Sequence, residues 1–279
     1  YCAQLFSEPG AGSDLATLGC RAERDGDEWV INGQKTWSSG AQFSEWGELI
    51  ARSDPSAPKH AGMTAFIVPM DAPGVEVRPI AQMSGGSSFN EVFFDDVRLP
   101  DSARLGPEGE GWKVALTTLS FERDHSDSGG TGGGARAGGS WRQLLDTARF
   151  VGCTDDPVMR QRLMEVYVHT RVEALLNRRA ADLMRDGTPG PEGSVGKLMW
   201  TQGMTLIGNV IGEVLGPRLV ADTGEWGTFA WNEHLLGAPG YRIAGGSDEV
   251  QRNILGERVL GLPGEPRVDK GIPWRDIPR

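Results

Sequence analysis

Cysteine is scarce in this chain of 279 residues, and the three present, Cys2, Cys20 and Cys153, are scattered, odd in number and without metal-ligand spacing. That argues against a disulfide framework and fits a reducing compartment. Histidine is nearly as rare. His60, His125, His169 and His234 form neither an HxxxH nor an HExxH pattern, so no metal site is expected. Long apolar runs are missing, none approaching the roughly 20 residues of a membrane-spanning helix. No secretory signal is visible either, and with the free cysteines this predicts a cytoplasmic protein. Positive charge is in deficit: 28 Lys and Arg stand against 38 Asp and Glu, a formal net charge of −10. This argues against nucleic acid as a partner but leaves room for an anionic small ligand held by local groups. What the chain has in plenty is glycine, 40 residues, part of them in one segment. Hydrophobic content of 38% and charged content of 24% read as a globular protein long enough for two cores.

Residues 18 to about 105 read as β. Asp25-Gly26 and Asn32-Gly33 are hairpin turn signals, with Trp29 to Ile31 a strand between them and Gln34 to Trp37 the next. Leu49 to Ala51, Thr64 to Val68, Val75 to Ile80 and Glu91 to Val97 follow, punctuated by Pro55, Pro58, Pro73 and Pro100. Short strands at this spacing predict a small sandwich or barrel. Helical periodicity then takes over. Four helices are expected: Trp112 to Arg123, Pro157 to Asp186, one carrying Leu206, Ile207, Val210, Ile211, Val214 and Leu215, and Asp248 to Leu260 with Asp248 as its cap. The apolar stripes, including Met159, Leu163, Val166 and Tyr167 continued by Val172, Leu175, Leu176 and Leu183, are expected to be core. The glycine run at 129–139 reads as a flexible linker between helical pieces, with a lid as the alternative. The fold class is thus α+β: a β-sandwich or barrel domain over 1–107 and a four-helix bundle over 108–279, ending in an extended tail.

Three stretches carry chemistry. The opening run Gln4-Leu5-Phe6-Ser7-Glu8-Pro9-Gly10-Ala11-Gly12-Ser13-Asp14 is a strand entering a polar, glycine-rich loop. Pro9 biases Glu8 towards extended backbone, and the glycines admit close approach of something flat or bulky. The second stretch is Asn32-Gly33-Gln34-Lys35-Thr36-Trp37-Ser38-Ser39-Gly40, and the third Gly245-Gly246-Ser247-Asp248-Glu249-Val250-Gln251-Arg252. Together, in this order and spacing, they resemble the acyl-CoA dehydrogenase family, from the first residue to about Gly261. Residue 1 is Tyr rather than Met, and the family's N-terminal helical domain is expected ahead of it.

The resemblance implies FAD and an acyl-CoA substrate. A carboxylate would take the α-proton and the β-hydrogen would leave as hydride to flavin N5. Phe6 and Ser7 match the positions near the ring's pyrimidine edge, Trp37 the flanking aromatic, and Ser39 the hydroxyl near N5. Ser247 and Glu249 match positions on the dinucleotide, and Ser13 one on the thioester side of CoA. Where many members carry the catalytic Glu, this chain has Gly245, whose backbone N–H would still reach the thioester carbonyl. One branch places the base on an early helix of the bundle, just ahead of an Arg. Glu122-Arg123 falls there, so Glu122 is the expected base and Arg123 its electrostatic neighbour.

Two family features are weak. Phe150-Val151-Gly152 lacks the usual pyrophosphate pattern, and Glu213 stands where a Gln meets the partner's adenosine, unfavourable unless solvated or paired. The resemblance implies electron-transfer flavoprotein or a similar acceptor, and a homo- or hetero-oligomer. Degradation of fatty acids or steroid side chains is the implied setting. A non-catalytic partner subunit of a hetero-oligomeric dehydrogenase is the alternative, and a flavin oxidase a third reading.

Overall fold

The computed structural model describes residues 1–122, 139–184, 190–191 and 193–278. They form two compact units, Tyr1–Leu119 with Glu265–Arg279, and Ser120–Gly264. Arg123 and residues 129–138 of the glycine run lie outside the described residues, as does the side chain of Glu122.

The first unit is one eight-stranded sheet. Its strands are β1 (Cys2–Leu5), β2 (Arg21–Asp25), β3 (Glu28–Ser39), β4 (Trp46–Arg52), β5 (Met63–Pro69), β6 (Val75–Ile80), β7 (Phe89–Pro100) and β8 (Arg104–Leu105). Their order is β6-β7-β3-β2-β4-β5-β8, with β1 parallel to β4. Alternation drives one row of side chains inward: Leu5, Trp29, Ile31, Leu49, Phe66, Val97 and Leu99 share a core. Trp29 of β3 meets Phe66 of β5 edge-on at 5.3 Å although two strands separate them in the order, so the sheet curls over this core. The other face of β4 is covered too. Ile50, Met63 and Ala65 pack with Phe6, Leu18 and Ala115, which is why β4 is buried from Gly47 to Arg52.

The Asp25-Gly26 turn forms as expected, with Gly26 at φ +63° and Asp25 paired to Glu28. Asn32-Gly33 makes no hairpin; β3 runs straight through it, 12 residues long, with a register shift against β7. A Cβ on Gly33 would lie 2.8 Å from the Cys20 Cα, so glycine here answers a close strand approach, not a turn. Asn32 instead bridges to Asp96, donating to its carboxylate at 2.9 Å and accepting its N–H at 3.0 Å.

The tail packs back onto this unit. The Trp274 indole donates to the Thr17 carbonyl at 3.1 Å, and the Arg52 guanidinium lies 4.9 Å from its ring. Lys59 pairs with both Asp14 and Asp269.

The helices are α1 (Gly111–Glu122), α2 (Trp141–Val151), α3 (Pro157–Met184), α4 (Gly193–Leu215), α5 (Trp231–Tyr241) and α6 (Asp248–Ile254), followed by a π turn at Leu255–Val259. Four match the expected helices, and α2 and α5 add to them. Glycines 237 and 240 and Pro239 hide α5 from periodicity. Ser140 and Gln143 close a capping box on α2, and Gly152 ends it in the left-handed region. The second core joins Leu144, Leu163, Val166, Ile207, Val210, Ile211, Val214 and Trp231. The stripe of α3 is only half as expected: Tyr167, Val172, Leu175 and Leu183 are exposed rather than core. No described helix is long and apolar enough to cross a membrane.

Candidate active site

In the β unit the opening loop is laid along β3. The Phe6 carbonyl accepts from Lys35 Nζ at 3.0 Å, and the Ser7 carbonyl accepts from the Thr36 N–H at 2.9 Å. Glu8 ties the arrangement down. Its Oε1 accepts from Lys35 Nζ at 2.7 Å and from the Cys20 N–H at 2.9 Å, and its Oε2 from the Gly19 N–H at 2.7 Å. Lys35 is fully buried, and the pair persists there because its ammonium meets both the Glu8 carboxylate and the Phe6 carbonyl. Sequence reasoning missed it. A lysine on the inward face of a strand, in a chain poor in positive charge, was the available signal. Beyond Glu8 the backbone closes a tight turn between Glu8 and Ala11, with nothing within 4 Å of a Cβ built on Gly10 or Gly12. Ser13 is exposed on this loop.

Two residues on, β3 does something strand residues rarely do. Trp37 has φ +61° within a register shift and is 59% exposed, its ring meeting Phe89 edge-on at 6.0 Å. A left-handed conformation costs a residue with a Cβ about 1–2 kcal/mol, and strain of that kind collects where ligands are held. Ser38 turns inward, its hydroxyl without a partner among the described residues, and Ser39 is exposed. The structure thus brings Phe6, Ser7, Trp37 and Ser39 to one neighbourhood.

Helix α1 rests on the same unit. A Cβ on Gly111 would lie 2.8 Å from the Thr64 carbonyl carbon, which explains the glycine. One turn before Glu122, the Thr118 hydroxyl donates to Glu48, 2.9 Å from Oε1 and 3.1 Å from Oε2. Glu48 is 9% exposed, and burial pushes its carboxyl above the usual range. Sequence reasoning missed this pair as well, for it spans 70 positions.

In the helical unit, Gly245 and Gly246 form a turn at φ +63° and +87°. A Cβ on Gly245 would meet nothing within 4 Å, so open space lies where other side chains would project. Asp248 does not cap α6 as expected. Ser247 does, its hydroxyl oxygen accepting the Val250 N–H at 3.3 Å. Asp248, one residue further in and 2% exposed, takes Arg242 through Nε at 2.8 Å and Nη2 at 2.7 Å. Burial pushes its carboxyl up, but Arg242 and Lys197 outweigh that and hold it below the usual range. The carboxylate of Glu249 is held low by its own N–H and by the Ser247 hydroxyl. Glu213 is paired after all, accepting Arg162 at 2.6 Å. Arg149 is occupied by Asp146 at 3.2 Å, and Phe150 packs on Trp226.

Residues 3–97 match the family model of the acyl-CoA dehydrogenase middle domain, and residues 109–260 that of the C-terminal domain. The chain belongs to the acyl-CoA dehydrogenase family, oxidoreductases acting on acyl-CoA. It is 41% identical over 266 residues to acyl-CoA dehydrogenase IpdE1 of Mycobacterium tuberculosis (strain ATCC 25618 / H37Rv), covering 95% of this chain and 67% of that protein. To acyl-CoA dehydrogenase FadE34 of the same strain it is 38% identical over 263 residues, covering 93% of this chain and 35% of that one. Among solved structures, the Tcur3481-Tcur3483 steroid ACAD superposes with a TM-score of 0.83 at 30% identity, covering 95% of this chain and 68% of that one. The ChsE4-ChsE5 complex from Mycobacterium tuberculosis gives 0.77 at 29%, covering 95% and 70%. A glutaryl-CoA dehydrogenase from Mycobacterium smegmatis in complex with FADH2, 22% identical, shares the fold.

Proposed function

We propose that this chain catalyses the FAD-dependent α,β-dehydrogenation of an acyl-CoA thioester. The observation that carries the reading is Trp37, strained into the left-handed region and exposed beside the Phe6-Ser7 loop. That surface fits a flat, polar-edged ring. It offers an aromatic edge, the exposed hydroxyl of Ser39 and the half-buried hydroxyl of Ser7. When bound, the flavin supplies the acceptor for the hydride leaving the β-carbon.

This chain's own residues do the rest. Phe6, Ser7, Trp37, Ser39, Ser247 and Glu249 hold the cofactor, and Ser13 contacts the thioester side of CoA. The carboxylate of Glu122 takes the α-proton, with Arg123 beside it. The Gly245 N–H donates to the thioester carbonyl oxygen, where negative charge grows as the proton leaves. On this assignment residues 1–107 bring Phe6, Ser7, Trp37 and Ser39 to the flavin, and residues 108–279 bring Ser247, Glu249 and the base. The product is the 2,3-unsaturated thioester, and the electrons pass to an electron-transfer flavoprotein or similar acceptor in the cytoplasm. The open space at Gly245 favours a bulky acyl group, in keeping with a relative described as a steroid ACAD.

The full-length protein, purified yellow and mixed anaerobically with a bulky acyl-CoA, is expected to bleach. Glu122→Gln should keep the colour and lose the bleaching by at least about a thousandfold, the upper part of the range for general base catalysis. Bleaching retained by that variant would end the assignment of the base.

A second reading rests on a different observation. Two structural relatives are pairs, Tcur3481-Tcur3483 and ChsE4-ChsE5. On it, this chain is the partner subunit of a hetero-oligomeric dehydrogenase. A colourless protein that turns yellow and active only when co-purified with a second chain supports this reading over the first.

A further inference from the structure

Behind the Gly245-Gly246 turn lies a buried polar cluster with no role so far. It is built by the buried Lys197 of α4 and Asp248 and Gln251 of α6, with the exposed Arg242 just after α5 at its edge, all within one compact unit. Lys197 is 7% exposed, and its ammonium donates to the Gly246 carbonyl at 2.8 Å and to the Arg242 carbonyl at 3.3 Å. Its charge is balanced by Asp248 at 3.7 Å. Gln251 is fully buried, and its Nε2 donates to the Gly245 carbonyl at 2.8 Å, with the Gly246 carbonyl at 3.5 Å. The contact is tight: a Cβ on Gly246 would lie 2.7 Å from that same nitrogen.

A trans peptide is a plane in which C=O and the following N–H point opposite ways. Fixing the Gly245 carbonyl therefore fixes the Gly245-Gly246 plane, and fixing the Gly246 carbonyl fixes the Gly246-Ser247 plane. Two consecutive glycines left alone would wander over both halves of φ space. Here both are held at positive φ by donors from two helices. The Gly245 N–H lies in the preceding Ala244-Gly245 plane, which is flanked by the held Gly245 carbonyl on one side and, on the other, by the Ala244 N–H donating to the Gly240 carbonyl at 3.0 Å, so its direction is narrowed from both ends. A buried lysine and a buried glutamine carry a desolvation cost that packing alone would avoid. Directed hydrogen bonds to these two carbonyls are the return.

We propose that Lys197 and Gln251 are positioning residues that aim the Gly245 N–H at the thioester carbonyl oxygen. This deepens the assignment of Gly245 above and rests on it. Neither residue touches substrate. They act by holding the two peptide planes that follow Gly245, so that the donor is already oriented when charge develops on the oxygen.

The test separates the carbonyl oxygen from the rest of the ligand. The flavin-loaded full-length protein is titrated with the unsaturated thioester 3-cyclohexylprop-2-enoyl-CoA, which keeps the carbonyl oxygen and cannot reduce the flavin. It is titrated in parallel with the matching thioether, S-(3-cyclohexylprop-2-enyl)-CoA, which lacks that oxygen. The unmutated protein is expected to bind the thioester more tightly. In Lys197→Met and in Gln251→Leu the thioester's advantage should fall about tenfold or more, part of the effect of losing one such donor. Thioether affinity and flavin content should stay put, and kcat should fall more than KM rises. Lys197→Arg, which keeps a cationic donor, should restore most of the advantage. Should Lys197→Met fail to fold, Gln251→Leu decides alone. Variants that keep the full thioester advantage, or lose both ligands equally, overturn the proposal. An unmutated protein that binds the two ligands alike overturns the role of Gly245 itself, a different failure seen without any mutation.

Discussion

Glu48 shows how a single residue can be set by its surroundings rather than its neighbours in sequence. On β4 its flanking residues read as an ordinary buried strand, yet among the described residues its carboxyl meets only the Thr118 hydroxyl, and burial raises its proton affinity. The sign of the consequence follows. The folded protein holds this proton above the pH at which the unfolded chain, with a glutamate pKa of ~4.3, has released it. Stability from this group is therefore full at low pH and is lost as pH rises through the folded value. Glu48→Gln removes that slope. Its stability relative to the unmutated protein should rise between about pH 4 and pH 8, read as the difference in urea midpoints at each pH. A difference that stays flat would mean the carboxyl is as hydrated as any surface glutamate. Trp37 is the converse case: nothing around it in sequence announces a left-handed backbone, and only the register shift in β3 reveals it.

Among the elements, β3 is where local reading and folded outcome part most clearly. Asn-Gly between two apolar runs is a strong hairpin signal, and Asp25-Gly26, seven positions earlier, obeys the same rule. The difference is tertiary. At Gly33 the neighbouring strand's lead-in comes so close that no side chain fits, and Asn32 spends its amide on Asp96 across the sheet. Gly33→Ala should accordingly destabilise by about 2–4 kcal/mol, because the Cys20 backbone it strikes cannot move aside as a side chain could. Thermal unfolding of the variant checks this, and a loss under about 1 kcal/mol would show that the strand accommodates by shifting. Helices were easier. Their periodicity and stops are local, so α1, α3, α4 and α6 could be read in advance, although the cap of α6 falls on Ser247 rather than Asp248 and half of the α3 stripe faces solvent. By contrast α5, with Gly237, Pro239 and Gly240 inside it, survives because Trp231 and Ala238 are buried and the Trp231 indole donates to Thr147 at 3.1 Å.

At the scale of the whole chain, the C-terminal tail completes the β unit. Trp274 reaches back 257 positions to Thr17, while Asp269 shares Lys59 with Asp14, the residue beside Ser13. The tail is in this way a strap over the loop that carries a proposed substrate contact. Trp274→Ala should cost about 2 kcal/mol, less than the ~3–5 of a fully buried tryptophan because the ring is half exposed. Hydrogen exchange of the Gly10–Leu18 amides should quicken in the variant. Unchanged exchange there would show that the strap and the loop are independent.

The sequence by itself determined the class of the fold, the family and three motif stretches, because periodicity, turn chemistry and motif spacing are local and survive being read in one dimension. It also put Glu122 forward as the base in place of Gly245, an assignment that stands as the proposal made above. Tertiary structure alone decided which groups hold the motifs in place: the Glu8–Lys35 pair, Glu48 under α1, and Lys197 with Gln251 behind the glycine turn. Each joins residues far apart along the chain through burial, and a buried charge or amide shows its partner only once the backbone has folded around both.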